Sequence, residues 1–139
     1  MSNDYLLDTA VLAYAIGGEH RYRAACQAVV ALAAESGVTF FASVEMVQEL
    51  AFHRMRRVDR SQAVDEAKAA GDICTLLDFN HDVLIRSLDL ITSVSTVRGR
   101  DAVHAATALN HDIDKVISPD VAFDQIPGLT RVDPFDVRS

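Results

Sequence analysis

The sequence predicts an α/β three-layer sandwich, a mostly parallel sheet with helices on both faces. Three observations carry that expectation. Short apolar or β-branched runs alternate with helical stretches along the 139 residues. Acids stand directly after two of the strand-like runs, Asp8 after Tyr5-Leu6-Leu7 and Asp120 after the run that ends at Ser118. Asp101 to His111 reads as a helix in which Ala102, Ala105, Ala106 and Ala108 leave almost no side-chain bulk, so it can pack very close to a sheet.

Taken in order, Tyr5-Leu6-Leu7 is a buried strand ended by Asp8-Thr9, and Ala10 to Ile16 is a helix stopped by Gly17-Gly18. A helix follows from about Arg21 to Glu35, closed by Ser36-Gly37, and Val38 to Phe41 is the second strand. Ser43 is suited to cap a helix reaching about Arg57. In that helix Val44, Val47 and Ala51 form the expected apolar stripe, and Glu45, Glu49, Phe52 and Arg56 line the other side. Another helix covers roughly 60–70, ended by Gly71, and Ile73 to Leu77 is the third strand. A helix over about 82–92 leads to Arg98-Gly99-Arg100, read as a charged breaker, and then to the alanine-rich helix with Asp101 in its first turn. A carboxylate suits that turn because free N–H groups and the helix dipole favour negative charge there. Val116-Ile117-Ser118 and Leu129 to Val132 are the last two strands.

The length predicts a single domain over 1–139 with a real hydrophobic core. Nothing approaches the roughly 18 uncharged apolar residues of a membrane span. The apolar N-terminal stretch is interrupted by Asp4 and Asp8 and has no Lys or Arg before it, which argues against a signal peptide. Cys26 and Cys74 stand far apart without metal-ligand spacing and fit a reducing cytoplasm. A net charge of −7 argues against broad, non-specific nucleic-acid binding, so any polyanion would need a local basic patch.

Ligands of open α/β sheets sit beyond the carboxyl ends of the strands, where strand order reverses. If the strands before Asp8 and Asp120 are neighbours there, both acids enter one crevice, and Asp101 and Glu49 are candidates to join them. Taken singly, each Asp has a simpler role as a helix cap and Glu49 as a solvated surface residue. Gathered together, carboxylates repel, and a divalent cation is the usual way to keep them ionised. Oxygen-only ligands suit Mg²⁺ or Mn²⁺ rather than Zn²⁺. His104, one turn from Asp101, is read as a packing or supporting group. A hard cation in such a place matches phosphodiester hydrolysis, with Glu49 or Asp120 left to orient a water or take its proton.

At this point the residues resemble a known family. LLDTAVLAYA at 6–15, SVEMVQEL at 43–50, GRDAVHAATAL at 99–109, SPDVAFDQIPGL at 118–129 and the closing Val132-Asp133-Pro134 are similar, in order and spacing, to PIN-domain proteins. More narrowly, they resemble VapC-type toxins of bacterial toxin–antitoxin pairs. The resemblance implies a PIN-like sandwich and an Mg²⁺- or Mn²⁺-dependent endoribonuclease, usually dimeric and silenced by a cognate antitoxin. It places Asp8, Glu49 and Asp101 on the family's first three acids and Asp120 on the more variable fourth, with Asp8, Asp101 and Asp120 as metal ligands. Thr9 and Ser43 fall on hydroxyl positions beside the first and second acids, and Ser118 stands where the family usually has Thr. Glu45 is an alternative to Glu49, and Asp124 can replace or assist Asp120.

The densest positive run contains Arg54, Arg56, Arg57 and Arg60, and Arg98 and Arg100 flank Asp101. One reading is a solvated helix end; the other is phosphate positioning around the acids, or contact with an acidic antitoxin segment. Aromatic residues make up 6%, and no aromatic run forms a base-stacking platform, so a folded RNA recognised by shape and phosphates is the expected substrate, a tRNA or rRNA. Two other classes compete: a catalytically silent PIN-like scaffold that only binds its partner, and a receiver-like phosphoacceptor domain. The latter wants an acid pair after the first strand, an Asp after the third and a late Lys. Asp78 is present, but Asp8 has no acidic neighbour and Lys115 is the last lysine.

Overall fold

In the computed structural model, which describes residues 3–35 and 37–137, β1 (Asp4–Leu7) lies at the centre of a five-stranded sheet. On one side it pairs with β2 (Thr39–Ser43), which pairs in turn with β3 (Thr75–Leu77). On the other side it pairs with β4 (Lys115–Ile117), followed by β5 (Thr130–Val132). Every pairing is parallel, and the order β3-β2-β1-β4-β5 reverses the direction of travel between β1 and β4. Leu6 is in register with Val116 and Leu7 with Ile117, so the residues after β1 and β4 emerge side by side. This order overturns the receiver-like reading, because such domains have the order 2-1-3-4-5.

Alternation along the strands sorts side chains into two cores. Tyr5, Leu7 and Ile117 face one layer with Val11, Met46 and Leu50. Leu6 and Val116 face the other with Val83, Leu90, Ala105 and Phe123. The first layer is built from α1 (Thr9–Ile16), α2 (Arg23–Ala31), α3 (Val44–Met55) and α4 (Arg60–Asp72). The second is built from α5 (His81–Ser93) and α6 (Gly99–Asn110). Two-sided burial explains why Tyr5-Leu6-Leu7 and Val116-Ile117 read as unbroken apolar runs. Each fully buried Leu contributes on the order of 1.5–3 kcal/mol.

Three of the α-helices, α3, α4 and α5, begin at side-chain caps, and α1, α2 and α6 do not. Ser43, Asp59 and Asn80 accept backbone N–H groups at the starts of α3, α4 and α5. In α6, Ala102, Ala105, Ala106 and Ala108 are fully buried, the close approach that small side chains permit. That helix starts earlier than expected: Arg98 occupies the cap position and Gly99 and Arg100 belong to the first turn, so the expected breaker is largely helical. Asp101 remains in the first turn.

The expected stripe of α3 is displaced. Met46, Leu50 and Arg54 are the buried residues, not Val44, Val47 and Ala51. The rotation turns Glu49 toward α1, which packs against α3. Short 3-10 turns at Leu32–Ala34, Val121–Gln125 and Pro134–Asp136 were absent from the sequence reading. Ser36 of the expected helix stop lies outside the described residues. Among the described residues no helix is long and apolar enough to cross a membrane.

Candidate active site

The site is built where β1 and β4 end. Ser118 follows β4, is fully buried, and uses its hydroxyl twice. Its Oγ donates to Asp8 Oδ2 at 2.7 Å and accepts the Asp120 backbone N–H at 3.0 Å. Asp8 sits at the cap position of α1 but makes no side-chain cap bond, so the simple capping role is not the one it takes. Burial pushes its carboxyl above the ordinary value; His104 and Ser118 oppose that push, and Glu49 and Asp120 add to it. Asp120 does cap, accepting Ala122 N–H at 2.9 Å, while remaining on the cleft.

Asp101 reaches the same place from α6. Its pKa is pushed up to about 7, first by burial, then by the charges of Asp8 and Asp120 and by a hydrogen bond to Asp120. Two carboxyls sharing a proton are the expected state of gathered acids without a counter-charge.

Glu49 reaches it from α3. Thr9 Oγ1 donates to Glu49 Oε2 at 3.1 Å, and His104 Nε2 lies 3.3 Å from Glu49 Oε1. Burial pushes Glu49 upward, but the His104 hydrogen bond and charge, the Thr9 hydroxyl and Arg100 outweigh it, so its carboxylate is held below the ordinary value. His104 is fully buried on α6. Its Nε2 also lies 3.3 Å from Thr9 Oγ1 and 3.9 Å from Asp8 Oδ1, while Nδ1 has no hydrogen-bond partner among the described residues. Burial lowers its pKa, but Glu49, Asp8 and Asp101 raise it more, leaving the imidazole above its ordinary value.

These groups open onto one cleft of about 830 Å³ whose lining includes Asp8, Thr9, Glu49, Asp101 and Asp120. The four acids expected from sequence therefore meet in space. Among the described residues, however, no three His, Cys, Asp or Glu side chains form a ready-made coordination group. Glu45 does not line this cleft; its backbone N–H is bound by Ser43 at the start of α3. Ser43 itself is buried as that cap rather than exposed to the cleft. Asp124 is drawn away by Arg131, which it pairs with at 2.9 Å.

The arginines divide. Arg57 and Arg100 line the acid cleft together with His53. Arg98 lines an adjoining hollow that shares Asp120. Arg56 is exposed and lines neither. Arg54 is a correction to the expected substrate surface: its side chain is buried and held by Glu66 at 2.8 Å, so it stabilises the α3–α4 packing instead.

His104, expected as a packing or supporting group, is the hub between Glu49, Thr9 and Asp8. Tyr14, His20 and Tyr22 also line the cleft as near-parallel rings, although no aromatic run announces them.

A parallel sandwich with a carboxylate cleft at its switch point is the class of protein that fold and site define. The chain belongs to the PIN-domain family, whose domain matches residues 5–129. Its relatives include ribonuclease VapC7 of Mycobacterium tuberculosis, 31% identical over 132 residues that cover 93% of this chain and 90% of that protein. Ribonuclease VapC13 of the same organism is 28% identical over 129 residues, covering 91% and 98%. Among solved structures, a toxin–antitoxin complex from Klebsiella pneumoniae shares the fold with a TM-score of 0.71 at 19% identity, covering 96% of this chain and 99% of that one.

Proposed function

We propose that this chain, acting as one PIN domain in the cytoplasm, is the toxin of a toxin–antitoxin pair. Its activity is that of an Mg²⁺- or Mn²⁺-dependent endoribonuclease that hydrolyses phosphodiester bonds of structured RNA, a tRNA or rRNA. The observation that carries the proposal is the arrival of Asp8, Glu49, Asp101 and Asp120 in one cleft from four separate stretches of chain. The ribonuclease relatives VapC7 and VapC13 support the activity. The toxin–antitoxin neighbour supports an antitoxin partner.

The donor set fits a hard cation in chemistry. Asp8, Asp101 and Asp120 offer oxygen only, and the pKa of Asp101, raised first by burial and then by the charges of Asp8 and Asp120, includes a repulsion that a cation relieves. When bound, the cation supplies Lewis acidity and neutralises charge on the phosphate. The protein's own groups do the rest. Glu49, kept ionised by His104 and Thr9, is placed to take a proton from an attacking water. Ser118 holds Asp8 in one orientation, and Ser43 fixes the start of the helix that carries Glu49. Arg57 and Arg100 position substrate phosphates, joined from the adjoining hollow by Arg98.

The homodimer also belongs to this proposal. Leu84, Leu88 and Ile91 are exposed at helical spacing on α5, an apolar stripe suited to a second copy.

The test incubates purified, antitoxin-free protein with total cellular RNA. Discrete cleavage in Mg²⁺ that vanishes with EDTA and in Asp8→Asn or Asp101→Asn is expected. Intact RNA with every metal tried sinks the nuclease and leaves a silent partner-binding scaffold.

A further inference from the structure

The acid cleft continues past α1 to a wall of rings. Tyr14 and His20 are stacked, with centroids 4.1 Å apart and planes 12° apart. Tyr22 lies nearly parallel to both, at 5.8 Å from Tyr14 and 6.1 Å from His20. The wall is fixed from behind. The Tyr22 hydroxyl donates to Asp133 at 2.9 Å, Arg21 sits 5.1 Å from the Tyr22 ring centre, and the Tyr22 backbone N–H donates to His20 Nδ1 at 3.2 Å. The outermost ring, His20, is exposed, whereas a purely structural cluster would cover it. The cleft lining between Tyr14 and His20 in sequence includes two glycines. Gly17 ends α1 where a Cβ would meet the Ala13 carbonyl at 2.8 Å, and Gly18 follows without a side chain. Tyr14 stands six residues beyond Asp8, about 9 Å along the helix axis. That is the reach of a neighbouring nucleotide rather than of the reacting one.

We propose that Tyr14 and His20 form a stacking subsite for an unpaired nucleobase next to the scissile phosphate. Parallel, rigidly backed rings with one open face accept any base, because every base has a π-face. A base paired in an A-form helix has no free face to offer, so a duplex is excluded from this wall. The phosphates leading to the base pass Arg57 and Arg100 on the same cleft. The inference rests on the ribonuclease reading and names the residues that hold the base beside the reacting phosphate.

The test uses the full chain in EDTA, so that binding is read without cleavage. The probe is a single-stranded oligoribonucleotide carrying 2-aminopurine, whose fluorescence falls on stacking. The wild type is expected to quench it. His20→Ala is expected to lose the quenching and to bind about 5- to 100-fold more weakly, and His20→Phe, which keeps a ring face, restores both. An abasic residue in place of 2-aminopurine is expected to erase the difference between wild type and His20→Ala. Equal affinity and unquenched fluorescence for wild type and His20→Ala, or no binding at millimolar oligonucleotide, overturns the subsite. RNA cleavage by the wild type is scored separately. Cleavage without stacking sinks the subsite alone; stacking without cleavage sinks the nuclease reading and leaves the rings as a base-binding wall with no scissile phosphate beside it.

Discussion

Ser118 and Asp8, 110 residues apart in sequence, share a buried hydrogen bond of 2.7 Å across the seam between β1 and β4. The bond joins the two strands whose divergence creates the cleft. Removing it strands a buried carboxyl. Ser118→Ala is therefore expected to lower stability by about 1.5–3 kcal/mol, read from urea unfolding. Ser118→Thr keeps the hydroxyl and is expected to retain most of that stability. Equal midpoints for wild type and Ser118→Ala would mean that the bond contributes nothing.

The His104–Glu49 contact makes a prediction in pH. Glu49 is held below its ordinary value of 4.5, so its contribution is complete above that value and is lost as pH falls through the folded pKa. His104 is held above its ordinary value of 6.5, so its contribution is complete below that value and is lost as pH rises through the folded pKa. The stability difference between wild type and His104→Leu is thus largest between about pH 4.5 and 6.5 and shrinks on both sides. Melting curves across pH check this, and a difference independent of pH would reduce His104 to a packing residue. RNA cleavage by His104→Leu is expected to fall roughly 10- to 100-fold in kcat, the scale of losing a side chain that orients a catalytic group.

The two rows of α3 show what was legible and what was not. Val44, Val47 and Ala51 recur at helical spacing, and so do Met46, Leu50 and Arg54. Periodicity prefers the first row because a stripe ending in Arg reads as polar. The fold prefers the second because Glu66 on α4 supplies the counter-charge that lets Arg54 be buried, and a pairing partner 12 residues away leaves no periodic mark. The parallel sheet and the alanine face of α6 were legible, since each depends on local pattern. Asp8, Asp101 and Asp120 were marked as candidates by standing at strand and helix ends, and Glu49 by its place on the third helix. Their meeting depended on β1 lying beside β4, which the chain order alone leaves open. The ring wall was hidden for a similar reason: Tyr14, His20 and Tyr22 come together only because the chain turns at Gly17-Gly18.

The division among arginines separates binding from folding. Arg57→Ala and Arg100→Ala are each expected to weaken RNA binding and to reduce the salt-dependence slope by about 1, with unchanged melting. Arg54→Ala leaves Glu66 without its partner and is expected to lose roughly 3 kcal/mol of stability. Binding titrations at several salt concentrations, beside melting curves, distinguish the two. A stable Arg54→Ala protein that binds RNA poorly would return Arg54 to the substrate surface.

The α5 stripe is tested by one charge. Leu88 is half exposed, and Leu88→Glu is expected to convert a dimer to a monomer in light scattering while leaving the melting temperature nearly unchanged. A wild type already monomeric at high concentration removes the dimer.

Asp101 brings the account to its most direct measurement. Its folded pKa of about 7 stands above the ordinary 3.8, so the folded protein keeps a proton that the unfolded chain releases between those values. The metal-free protein therefore loses stability as pH rises through that window, and Asp101→Asn does not share this loss. Thermal melting at pH 7.5, with and without millimolar Mg²⁺ or Mn²⁺, reads whether a cation takes the proton's place. The account predicts a rise of about 5 °C or more in the wild type, abolished in both Asp8→Asn and Asp101→Asn. A wild type indifferent to both metals, or variants that respond as strongly as it does, would contradict a shared carboxylate site.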